Sequence, residues 1–244
     1  MRLFRAELLK LATVRTTWVM LGIGLLVEAL FAGLYTGLVN VGELDREGIE
    51  GVQTSTGLLM VMLLVLGVLA ITGEFRHGTA STTFLASPRR HPAMLAKLAA
   101  VLVFGALAGV AFVVVNGGLT FGLLGSRDLA APPAGDVFSI YAGVLVSFAL
   151  LCGFGLGVGA IVRNQVGAII AALAFFFILS PLPELLPGNI GHYFPSQAVG
   201  SLHGSQTGVE EGLAQVAGGF VLAAWVLGLV AIGTVLVVKR DVSD

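Results

Sequence analysis

Six stretches of the chain are apolar over roughly the length a helix needs to cross a bilayer: 17–38, 55–72, 98–124, 138–162, 166–186 and 216–238. A hydrocarbon core ~30 Å thick takes about 20 residues at a rise of about 1.5 Å each. The runs lack the alternation of a barrel strand, and lipid offers no partner to an open backbone, so each run predicts a helix. The third run is long enough to tilt or to extend past the bilayer. Ahead of the first run, Leu3, Phe4, Leu8, Leu9 and Leu11 are interspersed with Arg2, Arg5, Glu7 and Lys10 at roughly helical spacing. That pattern predicts an interfacial helix over 1–16, lying along one leaflet. The same residues also fit a solvated basic leader. The expected fold is therefore an all-α integral membrane protein: a single transmembrane domain over 1–244 with six transmembrane helices.

Composition agrees. Of 244 residues, 57% are hydrophobic and 11% charged, against about 25% charged in an ordinary soluble domain. The net charge of −1 hides a segregation of signs along the chain. With the N-terminus inside, the cytoplasmic side holds Arg2, Arg5, Lys10, Arg15, Arg76, Arg89, Arg90, Lys97, Arg163, Lys239 and Arg240, and the outside only Arg46 and Arg127. The bias of basic residues sets orientation, so both termini are expected in the cytoplasm, in a multi-pass protein of the cell membrane.

Polar residues are few enough to take singly. Between the second and third runs the chain reads Gly73-Glu74-Phe75-Arg76-His77-Gly78-Thr79, then Ser87-Pro88-Arg89-Arg90 and Lys97, so 73–97 is expected to be a charged cytoplasmic loop. Glu28 falls near the middle of the first run. A charge there costs at least ~2.5 kcal/mol, which marks Glu28 either as an intramembrane functional residue or as a hydrogen-bonded glutamate facing the bundle. Arg163-Asn164-Gln165 is a very short inner turn, a topological anchor. The outer connection 187–215 has Pro187-Gly188 as a break and Pro195-Ser196-Gln197-Ala198 as a capped helix start, and is apolar enough to dip into the outer edge of the bilayer. Its His192 and His203 have no cysteine or close histidine beside them, so no metal site is expected. Five glycine pairs have G-x-x-x-G spacing: Gly33/Gly37, Gly105/Gly109, Gly118/Gly122, Gly153/Gly157 and Gly155/Gly159. They serve either a dimer seam or ordinary packing inside the bundle. Cys152, the one cysteine, sits in an apolar run as a small core residue.

No catalytic pattern is present: no G-x-x-x-x-G-K-[ST], no G-x-S-x-G, no H-E-x-x-H and no carboxylate cluster within the runs. The chain is not expected to be an enzyme, to bind a cofactor or to bind nucleic acid. If ATP drives it, the ATPase is another polypeptide.

Three segments in this order on six helices resemble the transmembrane subunit of bacterial ABC type-2 exporters, whose ATPase is a separate chain. They are Phe4-Arg5-Ala6-Glu7-Leu8-Leu9-Lys10 with Arg15-Thr16-Thr17-Trp18; Glu74-Phe75-Arg76-His77-Gly78-Thr79 followed by Leu85, Pro88, Arg90 and Lys97; and Tyr193-Phe194-Pro195-Ser196-Gln197-Ala198. The resemblance implies a dimer of permease subunits, here a homodimer, served by two ATPase copies that carry ATP and Mg. It implies that Glu74, Phe75, Arg76, His77, Gly78 and Thr79 form the coupling helix offered to the ATPase, and that 187–215 is a re-entrant cap. Glu74 and Arg76 would meet polar partners, Phe75 an apolar groove, and Gly78 would allow close approach. The family's pathway runs between the second and fifth spans, which here are almost purely apolar and so suit an amphiphilic drug, peptide or lipid. An ion-coupled secondary transporter working through Glu28 is the alternative.

Overall fold

A computed structural model describes residues 2–38, 56–76, 78, 90–127, 132–179, 188–204 and 213–239. These residues are predominantly helical, with no strand among them. The helices are α1 (Arg2–Thr13), α2 (Arg15–Leu38), α3 (Gly57–Arg76), α4 (Arg90–Ser126), α5 (Ala134–Val162), α6 (Gln165–Leu173), α7 (Pro195–Leu202) and α8 (Gln215–Lys239). Five of them, α2, α3, α4, α5 and α8, are long and apolar enough to cross a membrane, so the chain is a multi-pass membrane protein.

The run at 166–186 behaves differently from the other five. α6 passes into a π-helical turn, Ala174–Ile178, so that Leu179 N–H reaches back to Ala174 O at 3.1 Å. Among the described residues, helix and turn together give 14 residues, Gln165–Ile178, about 20 Å at α-helical rise; the rest of this run, 180–186, lies outside the described residues. The wider turn accommodates Phe175 and Phe176 against Phe154, with ring centroids 5.8 and 6.0 Å away, and sets Phe175 edge-on to Trp225 at 5.5 Å. Two consecutive rings, Phe175 and Phe176, are thereby placed against the core, while Phe177 stays exposed.

α4 is longer than its apolar run. Its 37 residues extend about 55 Å, and the excess lies at its start, where Arg90 to Lys97 are helix rather than loop. There Ala93, Met94 and Leu98 are buried where α1 packs against α4.

α5 is the centre of the bundle: two-thirds of its membrane-length window is buried (67%), against 22% for α2 and 28% for α8. Glycine makes this possible. A Cβ on Gly155 would run into Leu64 O of α3, and one on Gly67 of α3 would run into Cys152 O of α5, so the two backbones meet by reciprocal absence of side chains. Gly105 and Gly109 of α4 do the same against Phe148 and Leu145, and Gly157 against Leu229 of α8. Three of the five spaced pairs are thus spent inside the bundle, whereas Gly33, Gly37, Gly118 and Gly122 face open space. Small residues matter here because apolar transfer does not drive helices together in lipid; close contact does.

The next described segment holds a 3-10 helix, Gly188–Tyr193, and α7. α7 does start at Pro195, but no side chain caps it; Phe194 holds the N-cap position. The far end of α7 is tied to α5. Gln215 Nε2 donates to Leu202 O at 2.8 Å and to Ser139 O at 2.6 Å, and Ser139 Oγ donates to Gln215 Oε1 at 2.6 Å. His203 lies 2.8 Å from Ser147 Oγ in a buried contact.

Candidate functional site

The charged residues that the chain scatters over ninety positions meet at one end of the bundle. α1 begins the assembly. Its residues are mostly strong helix formers, and it stops at Thr13, where the Trp18 indole donates to Ala12 O at 2.6 Å. Phe4, Leu8 and Leu11 fall on one face, as spacings of three and four residues require, and pack against the core. Glu7 lies on that same face and is buried with them. A carboxylate cannot be buried unpaired without a large cost, and α3 and α4 provide what it needs.

The result is a closed ring of alternating charge. Lys10 Nζ donates to Glu7 Oε1 at 2.7 Å and to Glu74 Oε1 at 2.8 Å. Lys97 Nζ donates to Glu7 Oε2 at 2.6 Å, Glu74 Oε1 at 2.9 Å and Ala70 O at 3.3 Å. All three donors of the Lys97 ammonium are therefore used. Side-chain exposures of 5% for Lys97, 10% for Glu7 and 12% for Glu74 contrast with 47% for Lys10, so three members are desolvated and the fourth faces out. Burial by itself would raise the Glu7 carboxyl, but Lys97 and Lys10 outweigh it and hold Glu7 below its ordinary value of 4.5. Burial would likewise lower Lys10, and its bonds to Glu7 and Glu74 overcome that and raise it above 10.5.

Glu74 is thus turned into the protein. Its neighbours are engaged as well. Phe75 lies partly buried beneath the Arg163 guanidinium, 5.4 Å from the ring centroid, and Arg76 Nη1 donates to Gln165 Oε1 at 3.0 Å. These three residues are the last turn of α3, continuous with the span. Gly78 has φ +66°, a left-handed conformation that glycine adopts without strain, and its N–H donates to Phe75 O at 3.4 Å. His77 and Thr79, the other residues expected in a coupling helix, lie outside the described residues.

Arg163 and Asn164 build the short turn at the same end. Arg163 has φ 59° and closes α5, donating through Nη2 to Leu236 O at 2.6 Å. The Asn164 side chain accepts from Gly167 N at 2.9 Å and caps α6. The turn thus joins α5, α6, α8 and, through Phe75, α3.

Between α1, α2, α3 and α4, beside the charge ring, lies a cavity of about 520 Å³. Its charged side is lined by Glu7, Lys10, Glu74, Arg76 and Lys97, with Thr16, Thr17 and Gln165 as further polar residues, and aliphatic side chains line most of the remainder. Glu28 is not part of it. It is buried in the middle of α2, 3% exposed, and sits eight residues, about 12 Å along the helix, beyond Met20 of the cavity wall. At the opposite end of the bundle Arg127 holds the end of α2 by donating to Thr36 O at 2.9 Å and to Gly37 O.

Glu7, Lys10 and Lys97 were visible in the sequence as basic-leader and loop residues, but their meeting was not. The available signals were the i, i+3 pairing of Glu7 with Lys10 and a lysine set among Leu95, Ala96, Leu98 and Ala99. A lysine in such a setting needs a counter-charge from elsewhere in the fold. Comparison of the chain with models of protein families and with curated protein sequences finds no match.

Proposed function

We propose that the chain is the membrane-spanning subunit of an ATP-binding-cassette exporter of the type-2 kind. In this reading it sits in a bacterial cytoplasmic membrane with both termini and the ring of charge on the cytoplasmic side. It pairs with a second copy of itself and is driven by two copies of a separate ATPase that holds ATP and Mg. The 187–215 segment caps the outer end. The cargo is an amphiphile, a drug, peptide or lipid, in keeping with the apolar second and fifth runs.

The observation that carries this reading is the join between Glu74 and the N-terminal helix. Contacts of 2.6 to 2.9 Å link α1, α3 and α4 through Glu7, Lys10, Glu74 and Lys97. A partner that presses on the segment after Arg76 therefore moves three helices together. The shift between inward- and outward-open states comes from the difference in contact that the closed ATPase makes with each state.

The test is co-purification with a candidate ATPase, followed by ATP hydrolysis in lipid nanodiscs. Arg76→Ala removes an exposed side chain and is expected to weaken or uncouple the complex at unchanged thermal stability. Glu74→Ala is expected to do so with a loss of stability as well. A wild-type chain that recruits no ATPase and supports no ATP-dependent transport refutes the reading. The second reading, ion-coupled transport, rests on the burial of Glu28 in mid-span. It requires that Glu28→Gln abolish transport driven by an ion gradient alone.

A further inference from the structure

The cavity beside the charge ring is amphipathic in a way that specifies an occupant. Its walls are Leu11, Met20, Leu66, Leu69 and Val101, and its exposed rim includes Arg76. The four ring members sum to zero charge, so Arg76 leaves the polar side of the cavity with a surplus of one positive charge. Lys97 has no donor left to offer, but Lys10 spends two of its three on Glu7 and Glu74 among the described residues. Arg76 gives one bond, from Nη1, to Gln165. The charged groups with remaining donor capacity are therefore the two exposed cations, beside an aliphatic cleft.

From this we infer that the cavity is a binding site for one anionic phospholipid. A phosphodiester carrying a single negative charge would lie between Lys10 and Arg76, with an acyl chain along the accessible side chains Val14, Met20 and Leu69. The arrangement has the elements of lipid recognition: a pocket with a surplus positive charge, set between helices at the charged end of the bundle. The volume of about 520 Å³ falls within the ~300–1,000 Å³ of pockets that enclose small amphiphilic ligands. One added negative charge returns the whole polar side to neutrality, so a zwitterionic headgroup with no net charge is a poorer fit. This inference does not depend on the exporter reading, since the site is complete within one chain and needs no ATPase.

Native mass spectrometry of the full-length chain in detergent tests it, with dioleoyl phosphatidylglycerol, dioleoyl phosphatidylcholine and glycerol 3-phosphate as probes and no ATPase present. The wild type is expected to retain phosphatidylglycerol in preference to phosphatidylcholine. Arg76→Gln is expected to reduce that preference about fivefold, the equivalent of about 1 kcal/mol for one basic residue at a membrane surface. Arg76→Lys should keep most of it. Leu69→Trp, which fills the cleft, should weaken retention of both lipids, and glycerol 3-phosphate should compete poorly because it has no chain. Equal retention of the two lipids by the wild type, or an unchanged preference in Arg76→Gln, overturns the inference. So does glycerol 3-phosphate competing as well as the lipid, which would leave the aliphatic wall without a part.

Discussion

Replacing Lys97 by Met is the sharpest perturbation that the charge ring allows. Met keeps most of the stem volume and removes only the ammonium, so packing against Ala100 and Val101 is little changed while Glu7 and Glu74 lose a shared counter-charge. Lys10 then has to serve two carboxylates from a half-exposed position, its side chain 47% accessible against 5% for Lys97. Removing one partner from a buried ion pair costs about 3–5 kcal/mol. The lower figure applies here, because Lys10 still offsets part of the repulsion. Lys10→Met removes a cation that solvent already screens, and should cost no more than about 1 kcal/mol. For a chain of this size 1 kcal/mol corresponds to roughly 2–4 °C in Tm. Lys97→Met is therefore expected to melt at least ~6 °C lower than wild type, and Lys10→Met no more than ~4 °C lower. Fluorescence-detected thermal unfolding in one detergent, at low and at high salt, measures both. Salt should shrink the Lys10 effect and leave the Lys97 effect nearly intact, since buried pairs are weakly screened. Equal shifts for the two variants, or a Lys97→Met effect that disappears in salt, would refute the claim that burial sets the hierarchy within the ring.

The same ring has a pH signature. Because Glu7 is depressed below 4.5 in the folded chain, its contribution is fully present above 4.5 and is lost as pH falls through its folded value. Tm measured downward from pH 4.5 should fall more steeply in wild type than in Glu7→Gln. Lys10 is raised above 10.5, so its contribution holds below 10.5 and is lost only as pH rises past its folded value. Gly67→Ala, whose Cβ would strike Cys152 O, should destabilise by about 1–3 kcal/mol as an overpacking change. Gly33→Ala, with open space around it, should leave monomer stability unchanged or slightly raised; a gel-filtration shift in that variant would place Gly33 in a contact between copies. In the Ser147 contact, the hydroxyl donates to Val144 O at 2.8 Å, so Oγ accepts from His203 Nε2 at 2.8 Å. Ser147→Ala should therefore cost about 1–3 kcal/mol by stranding a buried donor, read as a lower Tm.

What the sequence determined by itself is the solvent and the kind of element. With 57% of residues hydrophobic and 11% charged, the chain can only satisfy its backbone in lipid as helices, and the runs 17–38, 55–72, 138–162 and 216–238 mark four of them to within about a turn, while 98–124 misses the first eight residues of α4. The positions of single polar residues within and between runs, Glu28 and Glu74 among them, were legible for the same reason: each interrupts hydrocarbon. The run at 166–186 was legible as apolar but not as a helix that widens at Ala174, because the π turn is set by how Phe175 and Phe176 meet Phe154 and Trp225 across the bundle. Glycine spacing marked close packing without saying where. Gly155 and Gly33 share the same spacing rule, yet one faces the Leu64 carbonyl and the other faces open space, a difference made only by which helix lies opposite. The charge ring belongs wholly to the tertiary structure. Glu7 and Lys97 are ninety residues apart, and nothing local to either fixes a partner; a buried carboxylate on α1 requires a cation, and only the packing of α1 across α3 and α4 decides that the cation is Lys97.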